Sequence, residues 1–266
     1  MKNGYEIFSE NIAIKYLSAD EGREGFCGDH CHDKYEITYL QSASGRYIVE
    51  GCEHKITSGT LIFIPPMSYH KVELSPDVLA EGYTVHFRRE AVIGAVDAMF
   101  DKICADGEDH GRFYPGEQVC EALISAFDRF EMAERLKENE RDAYMQMLLA
   151  EIIILLSATE GRQITVDEDE IGARIGRFLN ANFRKNISLD RLARRFFVSK
   201  YYLCRAFKSY SGISIHAYIN QKRIIYAKGL IESGMTASNA AEKVGFGDYS
   251  AFYRAYVKIV GKSPTA

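Results

Sequence analysis

From Tyr35 to Phe87 short apolar runs alternate with glycine, proline and polar residues. KYEITYL, GRYIVEG, HKIT, GTLIFIPP, HKVEL and GYTVHF are rich in β-branched and aromatic side chains, which suit a pleated, half-buried surface. Gly51-Cys52 marks a tight turn between two of these runs, and Pro65-Pro66 ends the most apolar one. Strands this short, with no helical insert, predict an all-β barrel or jelly roll over residues 1–95.

The period changes near Ala91. Val119, Leu123, Phe127 and Phe130, then Tyr144, Met147, Leu148, Glu151 and Leu155, recur at helical spacing. The charged stretch Glu131 to Asp142 separates two helices. The second of these, EIIILLSA, is apolar around much of its circumference and is expected to be buried on more than one side. Two arrangements meet that need: packing on a symmetry mate, which makes a dimer, or packing on its own barrel. Residues 96–160 thus read as a helical connector and candidate dimerisation region. GRQITVDEDE, residues 161–170, reads as an acidic exposed linker. Residues 171–266 are helical in period, with glycine interruptions at Gly212, Gly234 and Gly245 to Gly247.

The last segment contains an internal repeat. SKYYLCRAFKSYSGIS, from Ser199, matches DYSAFYRAYVKIVGKS, from Asp248, at an offset of 49 residues. Leu203 matches Phe252, Arg205 matches Arg254, Phe207 matches Tyr256 and Gly212 matches Gly261. Upstream, Ala193 aligns with Ala241 only if the later turn is one residue longer. Two copies are too few for a solenoid but suffice for a duplicated helix-turn-helix. In the first copy Leu189, Leu192 and Ala193 form the inner stripe of a short helix, Val198 plugs the turn and Ser199 caps the next helix. Leu203 and Phe207 then face the core, and Ser199, Lys200, Tyr201, Arg205 and Lys208 lie outside. In the second copy Ala240, Ala241 and Val244 are inner, and Asp248 or Ser250 is the cap. Phe252 and Tyr256 turn inward, leaving Tyr249, Ser250, Tyr253, Arg254 and Lys258 outside. Between the copies, Ile215 to Ser233 forms one long helix with Tyr218, Ile219, Ile225, Leu230 and Ile231 on its core side. Tandem units on such a connector can enter successive major grooves about 34 Å apart.

Charge sharpens this picture. The chain of 266 residues is 47% hydrophobic and 26% charged, with a formal net charge of −4. That value hides a segregation: residues 171–266 carry 17 Lys+Arg against 4 Asp+Glu, or +13, and residues 1–170 carry −17. A half this basic is expected to meet a polyanion. Lysine and arginine supply salt-dependent affinity for phosphates, and the outward side chains of the second helices supply sequence preference. Double-stranded promoter DNA is therefore the expected partner.

LARRFFVSKYYLCRAFKSYSGIS, INQKRIIYAKGLI and AAEKVGFGDYSAFYRAYVKIVGKSP resemble the DNA-binding domain of AraC/XylS-type transcription regulators over roughly the last hundred residues. Each first helix has an alanine, a Gly-Phe turn precedes the second recognition helix, and Gly261, Lys262, Ser263 and Pro264 match a G-x-SP ending. Phe196-Phe197 stands where polar residues are more usual. Tyr256-Val257 replaces a Phe-Lys pair, which removes one expected phosphate contact. The family usually continues past the position of Ala266, so a short further tail is expected. The resemblance implies an α+β multidomain protein: a cupin-like β-barrel with connector helices, then an all-α domain of two helix-turn-helix units over residues 171–266. It further implies a regulator that responds to a small-molecule effector, acts as a homodimer and works with RNA polymerase.

HCHDKYEITYL and GTLIFIPPMSYH resemble the two cupin motifs, whose metal ligands correspond here to His30, His32, Glu36 and His70. Two imidazoles at i and i+2 share one strand face, and three nitrogens with one carboxylate suit zinc, iron, nickel or manganese. The same residues, with Tyr39, Arg46, Tyr83 and His86 by strand alternation, can instead hydrogen-bond a sugar or a small organic acid. No cofactor is required by this reading, although a divalent metal in the barrel is compatible with it. Cys27 and Cys31 lie beside the histidines, a weaker candidate for a thiol site. Six cysteines without a CxxC pair read as reduced thiols. The polar N-terminus has no export-signal layout, so a cytoplasmic location is expected. No Ser/His/Asp order, phosphate loop or nucleotide fingerprint is present. The rivals to an effector-responsive regulator, which has no enzymatic role, are a metal-dependent cupin enzyme fused to a DNA-binding tail, and a DNA-binding protein whose barrel only dimerises.

Overall fold

The computed structural model describes residues 4–17, 31–75, 77–106, 111–164 and 170–265. They fall into two compact units. The first extends to Thr165, except for Cys31–Asp33 and Glu50–Cys52; the second comprises those two segments and Val166–Ala266.

Ten strands are described: β1 (Tyr5–Phe8), β2 (Ile12–Leu17), β3 (Tyr35–Ser42), β4 (Gly45–Val49), β5 (Cys52–Ile56), β6 (Thr60–Ile64), β7 (His70–Leu74), β8 (Glu81–Phe87), β9 (Arg112–Tyr114) and β10 (Arg162–Gln163). A seven-stranded sheet runs β1-β2-β8-β3-β6-β9-β10, and a three-stranded sheet runs β5-β4-β7. The six apolar runs of the sequence become β3 to β8, and β6 ends at Ile64, directly before Pro65-Pro66.

Alternation along each strand splits the core in two. Ile37 and Tyr39 of β3, Leu61 and Phe63 of β6, and Tyr83, Val85 and Phe87 of β8 share one cluster. Three helices cover that face: α1 (Asp97–Asp106), α2 (Glu121–Arg129) and α3 (Glu138–Ala158) contribute Phe100, Leu123, Phe127, Leu148 and Ile152. The other face turns Leu40, Ile62 and Ile64 toward Tyr47, Val49, Ile56 and Val72 of the small sheet. Burial on both faces explains why β6 reads TLIFI without a polar break.

Three expectations change here. The connector is not purely helical, because Arg112–Tyr114 pairs with β6. The linker is not wholly exposed: Arg162–Gln163 pairs with β9, and Ile164 is 2% exposed in the core between the sheets. A strand this short is supported by its neighbours rather than by its own composition. Of the two arrangements open for α3, packing within its own unit is the one observed. Met145, Leu148, Leu149, Ile152, Ile153 and Leu156 are all buried there, leaving Met147 and Ile154 exposed.

The second unit contains α4 (Ile171–Asn182), α5 (Leu189–Arg195), α6 (Lys200–Ser211), α7 (Ile215–Glu232), α8 (Ala237–Lys243) and α9 (Tyr249–Val260). Ser199 Oγ accepts from the Tyr202 amide at 3.2 Å, and Asp248 accepts from Ser250 and Ala251 at 3.2 and 2.8 Å. Asp248, and not Ser250, is therefore the second cap. On α7 the buried position is Ile224; Ile225, expected inside, is only half-buried. Within this unit the Tyr218 hydroxyl lies 2.7 Å from Glu50 Oε2 and 2.6 Å from Asn180 Oδ1, and Lys222 Nζ lies 3.5 Å from Glu50.

The repeat is visible atom by atom. Val198 N–H donates to Ala193 O, and Phe246 N–H donates to Ala241 O, each at 3.0 Å. One residue earlier, Phe197 and Gly245 occupy the left-handed region with φ of 57° and 89°. Both turns are thus the same left-handed helix stop. The extra residue of the second copy lies after it, between Phe246 and the Asp248 cap.

Candidate nucleic-acid interface and effector site

In α6, Leu203 and Phe207 are fully buried, while Ser199, Lys200, Tyr201, Arg205 and Lys208 are exposed. In α9, Phe252 and Tyr256 are buried, while Tyr249, Ser250, Tyr253, Arg254 and Lys258 are exposed. All ten residues expected to face DNA are therefore open to solvent. Lys200 Nζ forms an exposed ion pair with Asp190 at 2.8 Å, which links the start of α6 to α5. Arg223 of α7 joins the ends of the domain: it donates to the carbonyls of Phe183, Lys185 and Gly245 at 2.6, 2.7 and 2.8 Å.

Sequence reading missed a second basic surface. Arg174, Arg177, Phe178, Arg195 and Phe196 line a groove of about 840 Å3. Lys185, Arg191, Arg194 and Arg195 line an adjoining one of about 780 Å3, sharing Phe178 and Asn182 with the first. Arg195 stacks over the Phe178 ring at 4.7 Å, and Arg174 lies 5.9 Å from the Phe196 ring. The signal was available in the arginines of RLARR and the Phe-Phe pair after them, but only folding brings α4 alongside.

In the first unit Glu36 is the centre of a buried polar cluster on the face between the sheets. Its Oε1 accepts from Thr38 at 2.7 Å and from Tyr47 at 3.0 Å. Its Oε2 lies 3.0 Å from His86 Nε2 and 3.3 Å from His70 Nε2. Burial, and then the Glu36 carboxylate, raises the Tyr47 phenol well above its ordinary pKa, so it remains a hydrogen-bond donor. His70 Nδ1 is 3.0 Å from the Ser68 carbonyl, which can only accept, so Nδ1 carries a proton. Ring nitrogens of His32 and His86 and a carboxylate oxygen of Glu36 lie within 4.8 Å of one another, a donor set that could hold a divalent ion.

Tyr39, Tyr83 and Arg46 lie apart from this cluster. His30 lies outside the described residues, as does Cys27, and His32 is half-buried. Tyr39 and Tyr83 stand on the opposite face of their strands from Glu36, because odd positions of β3 and β8 turn toward the helices. Tyr39 stacks on Phe127 at 5.4 Å, and Tyr83 donates to Asp128 at 2.6 Å. Neither lines the interior. Arg46 points outward and is held at the surface by Glu53 at 2.8 Å and Glu73 at 2.6 Å.

Residues 11–149 match the AraC-like ligand binding domain family, and residues 192–266 match a helix-turn-helix domain family. The HTH-type transcriptional regulator YbfI of Bacillus subtilis is 25% identical over 228 residues, covering 84% of this chain and 80% of that one. The HTH-type transcriptional activator RhaS of Yersinia pestis bv. Antiqua is 23% identical over 265 residues, covering 97% and 95%. Among solved structures, ToxT from Vibrio cholerae O395 is 13% identical with a TM-score of 0.41, covering 99% and 94%. The DNA-binding domain of AdpA in complex with a target DNA is 20% identical with a TM-score of 0.35, covering 36% and 88%. Helices long and apolar enough to cross a membrane are absent among the described residues. With the AraC-like ligand-binding family matched over more than half of the chain and a helix-turn-helix family matched over residues 192–266, this chain belongs to the AraC family of DNA-binding transcription regulators.

Proposed function

We propose that this regulator binds a small hydroxylated effector at the Glu36–His70–His86 cluster and changes its engagement of promoter DNA in response. The observation that carries the reading is a carboxylate only 4% exposed in an otherwise apolar interior, held by two hydroxyl donors and flanked by two imidazoles. Burying that charge is unfavourable by several kcal/mol unless it is compensated. Glu36 already accepts from the hydroxyls of Thr38 and Tyr47, so a sugar-like ligand would be bound through the same chemistry. An effector that prefers one conformational state shifts the population by its differential affinity, and through that shift alters DNA binding. The relatives are transcription regulators, and no catalytic step is assigned to the cluster.

A second reading rests on the grouping of His32, Glu36 and His86. A divalent cation held by these three would supply a point to which a ligand oxygen binds. A metal-dependent enzyme fused to a DNA-binding domain would need such an ion. The dimerisation surface is assigned to α3, where Met147 is 67% and Ile154 44% exposed one face apart from the core. RNA polymerase is the further partner expected at a promoter.

Thermal-shift screening of sugars, organic acids and divalent metals, with the parent and Glu36→Gln, tests the site. The expected result is a ligand that raises the melting temperature of the parent and not of the variant, since a ligand binding only the native state stabilises it. Equal shifts in both proteins would place the effector elsewhere. Stoichiometric metal in the purified chain, lost in Glu36→Gln, would favour the second reading.

A further inference from the structure

The two helix-turn-helix units stop their first helices in the same way, but with different residues at the left-handed position. In the second unit this residue is Gly245, where a β-carbon would collide with the Arg184 carbonyl oxygen. In the first unit it is Phe197, with φ of 57° and 95% of its surface exposed. A left-handed conformation is unfavourable for any residue carrying a β-carbon, and most so for a bulky one. A ring so exposed contributes almost no burial in return. The repeat therefore supplies its own control: the same turn forms with glycine, so folding gives no reason for phenylalanine here. Strain retained at such a position points to function.

The surroundings indicate what the ring meets. Phe197 stands two residues before Ser199, which caps the recognition helix α6. Its chain neighbour Phe196 lines the groove surface of α4 and α5, which holds Arg174, Arg177, Lys185, Arg191, Arg194 and Arg195 and no carboxylate. An aromatic ring among arginines complements a phosphate backbone interleaved with apolar sugar and base faces.

We propose that Phe197 is a DNA contact of the first helix-turn-helix unit, packing on deoxyribose or a thymine methyl, while the α4–α5 arginines hold the adjoining phosphates. The DNA footprint of this unit then extends past α6 onto α4 and α5. This rests on α6 being a recognition helix, and the test separates the two ideas.

The full-length chain is used to recover a duplex from a random-sequence pool, and variants are titrated against that duplex. Phe197→Gly is expected to fold with a melting temperature equal to the parent's or a few degrees higher, and to bind about 5- to 10-fold more weakly. Its salt slope should be unchanged, because the ring carries no charge. Arg194→Ala should bind more weakly with a slope reduced by about one. Phe197→Asn, which tolerates the left-handed region, should behave like Phe197→Gly and decides the matter if glycine loosens the turn. Parental affinity in both Phe197 variants overturns the proposal. It is equally overturned if DNA binding is unchanged and only transcription by added RNA polymerase falls, since the ring would then meet an acidic protein surface. If Arg205→Ala also binds normally, α6 itself is misassigned; if Arg205→Ala fails and Phe197→Gly does not, only this inference is lost.

Discussion

Arg223 on α7 donates through Nη1 to the carbonyl of Gly245 at 2.8 Å, in the turn of the second helix-turn-helix unit. The same guanidinium reaches Phe183 and Lys185 after α4, so one side chain ties the segment leading into the first unit to the turn of the second. Burial lowers its pKa below the ordinary arginine value, yet it remains fully charged at any physiological pH.

Arg223→Met should destabilise the helical unit by about 3 kcal/mol, because three carbonyls lose a charged donor at once. Arg223→Lys should recover only part of this, since an ammonium cannot fork to three acceptors. Urea unfolding followed by circular dichroism measures both.

Arg205 and Arg254 occupy equivalent exposed positions on α6 and α9. Replacing either with alanine should weaken duplex binding about tenfold and leave stability within about 0.5 kcal/mol, as neither side chain is buried. Fluorescence anisotropy titrations over a range of salt concentrations would show whether each reads a base or a phosphate. A phosphate contact lowers the salt slope uniformly across sequences, whereas a base contact relaxes preference at one position.

Met147 and Ile154 leave an apolar stripe on the outer face of α3. Changing both to lysine should convert the proposed dimer to a monomer in analytical ultracentrifugation without lowering the melting temperature of the monomer. An unchanged sedimentation profile would remove α3 from the interface.

Thiol reactivity should divide by burial. Burial raises the pKa of Cys31 to about 12 and that of Cys104 to about 11. The thiolate is the reactive form, so both should resist iodoacetamide at pH 8, while exposed Cys120 is modified readily. Peptide mass spectrometry over a time course would order them.

His54 on β5 stacks on Phe113 at 5.9 Å, and burial lowers its pKa below the ordinary histidine value. Its neutral form is therefore the one the fold accepts. The unfolded chain takes up the proton first as pH falls, so this contribution to stability is complete above about pH 6.5 and is lost as pH drops through the lowered folded value. His54→Gln should flatten that part of the stability curve between about pH 7 and 5, measured by urea midpoints.

Much of the second unit was legible in the chain. An offset of 49 residues, two alanines in the first helices and a cap before each second helix were enough to orient α6 and α9 correctly. Helical period decides which side chains face a core, and a repeat states the pattern twice. Period 2 likewise located β3 to β8, because alternation of side chains is a property of the strand alone. It did not say which of the two faces held the site. Tyr39 and Tyr83 were assigned to the interior with Glu36, yet in β3 and β8 they turn to the helix-covered face.

The sequence by itself determined strands β3 to β8, the helical period of the second unit, the duplicated turn and the segregation of charge, since these follow from local periodicity and composition. Only the tertiary structure decided that β9 and β10 extend the large sheet, that Tyr39 and Tyr83 turn away from Glu36 while Arg46 stays on the surface, and that α4 lies beside α5 to build the arginine groove. The physical reason is the same in each case. Burying both faces of a sheet, and compensating a buried charge, depend on residues far apart in the chain, and no local pattern records which distant partner will supply the contact.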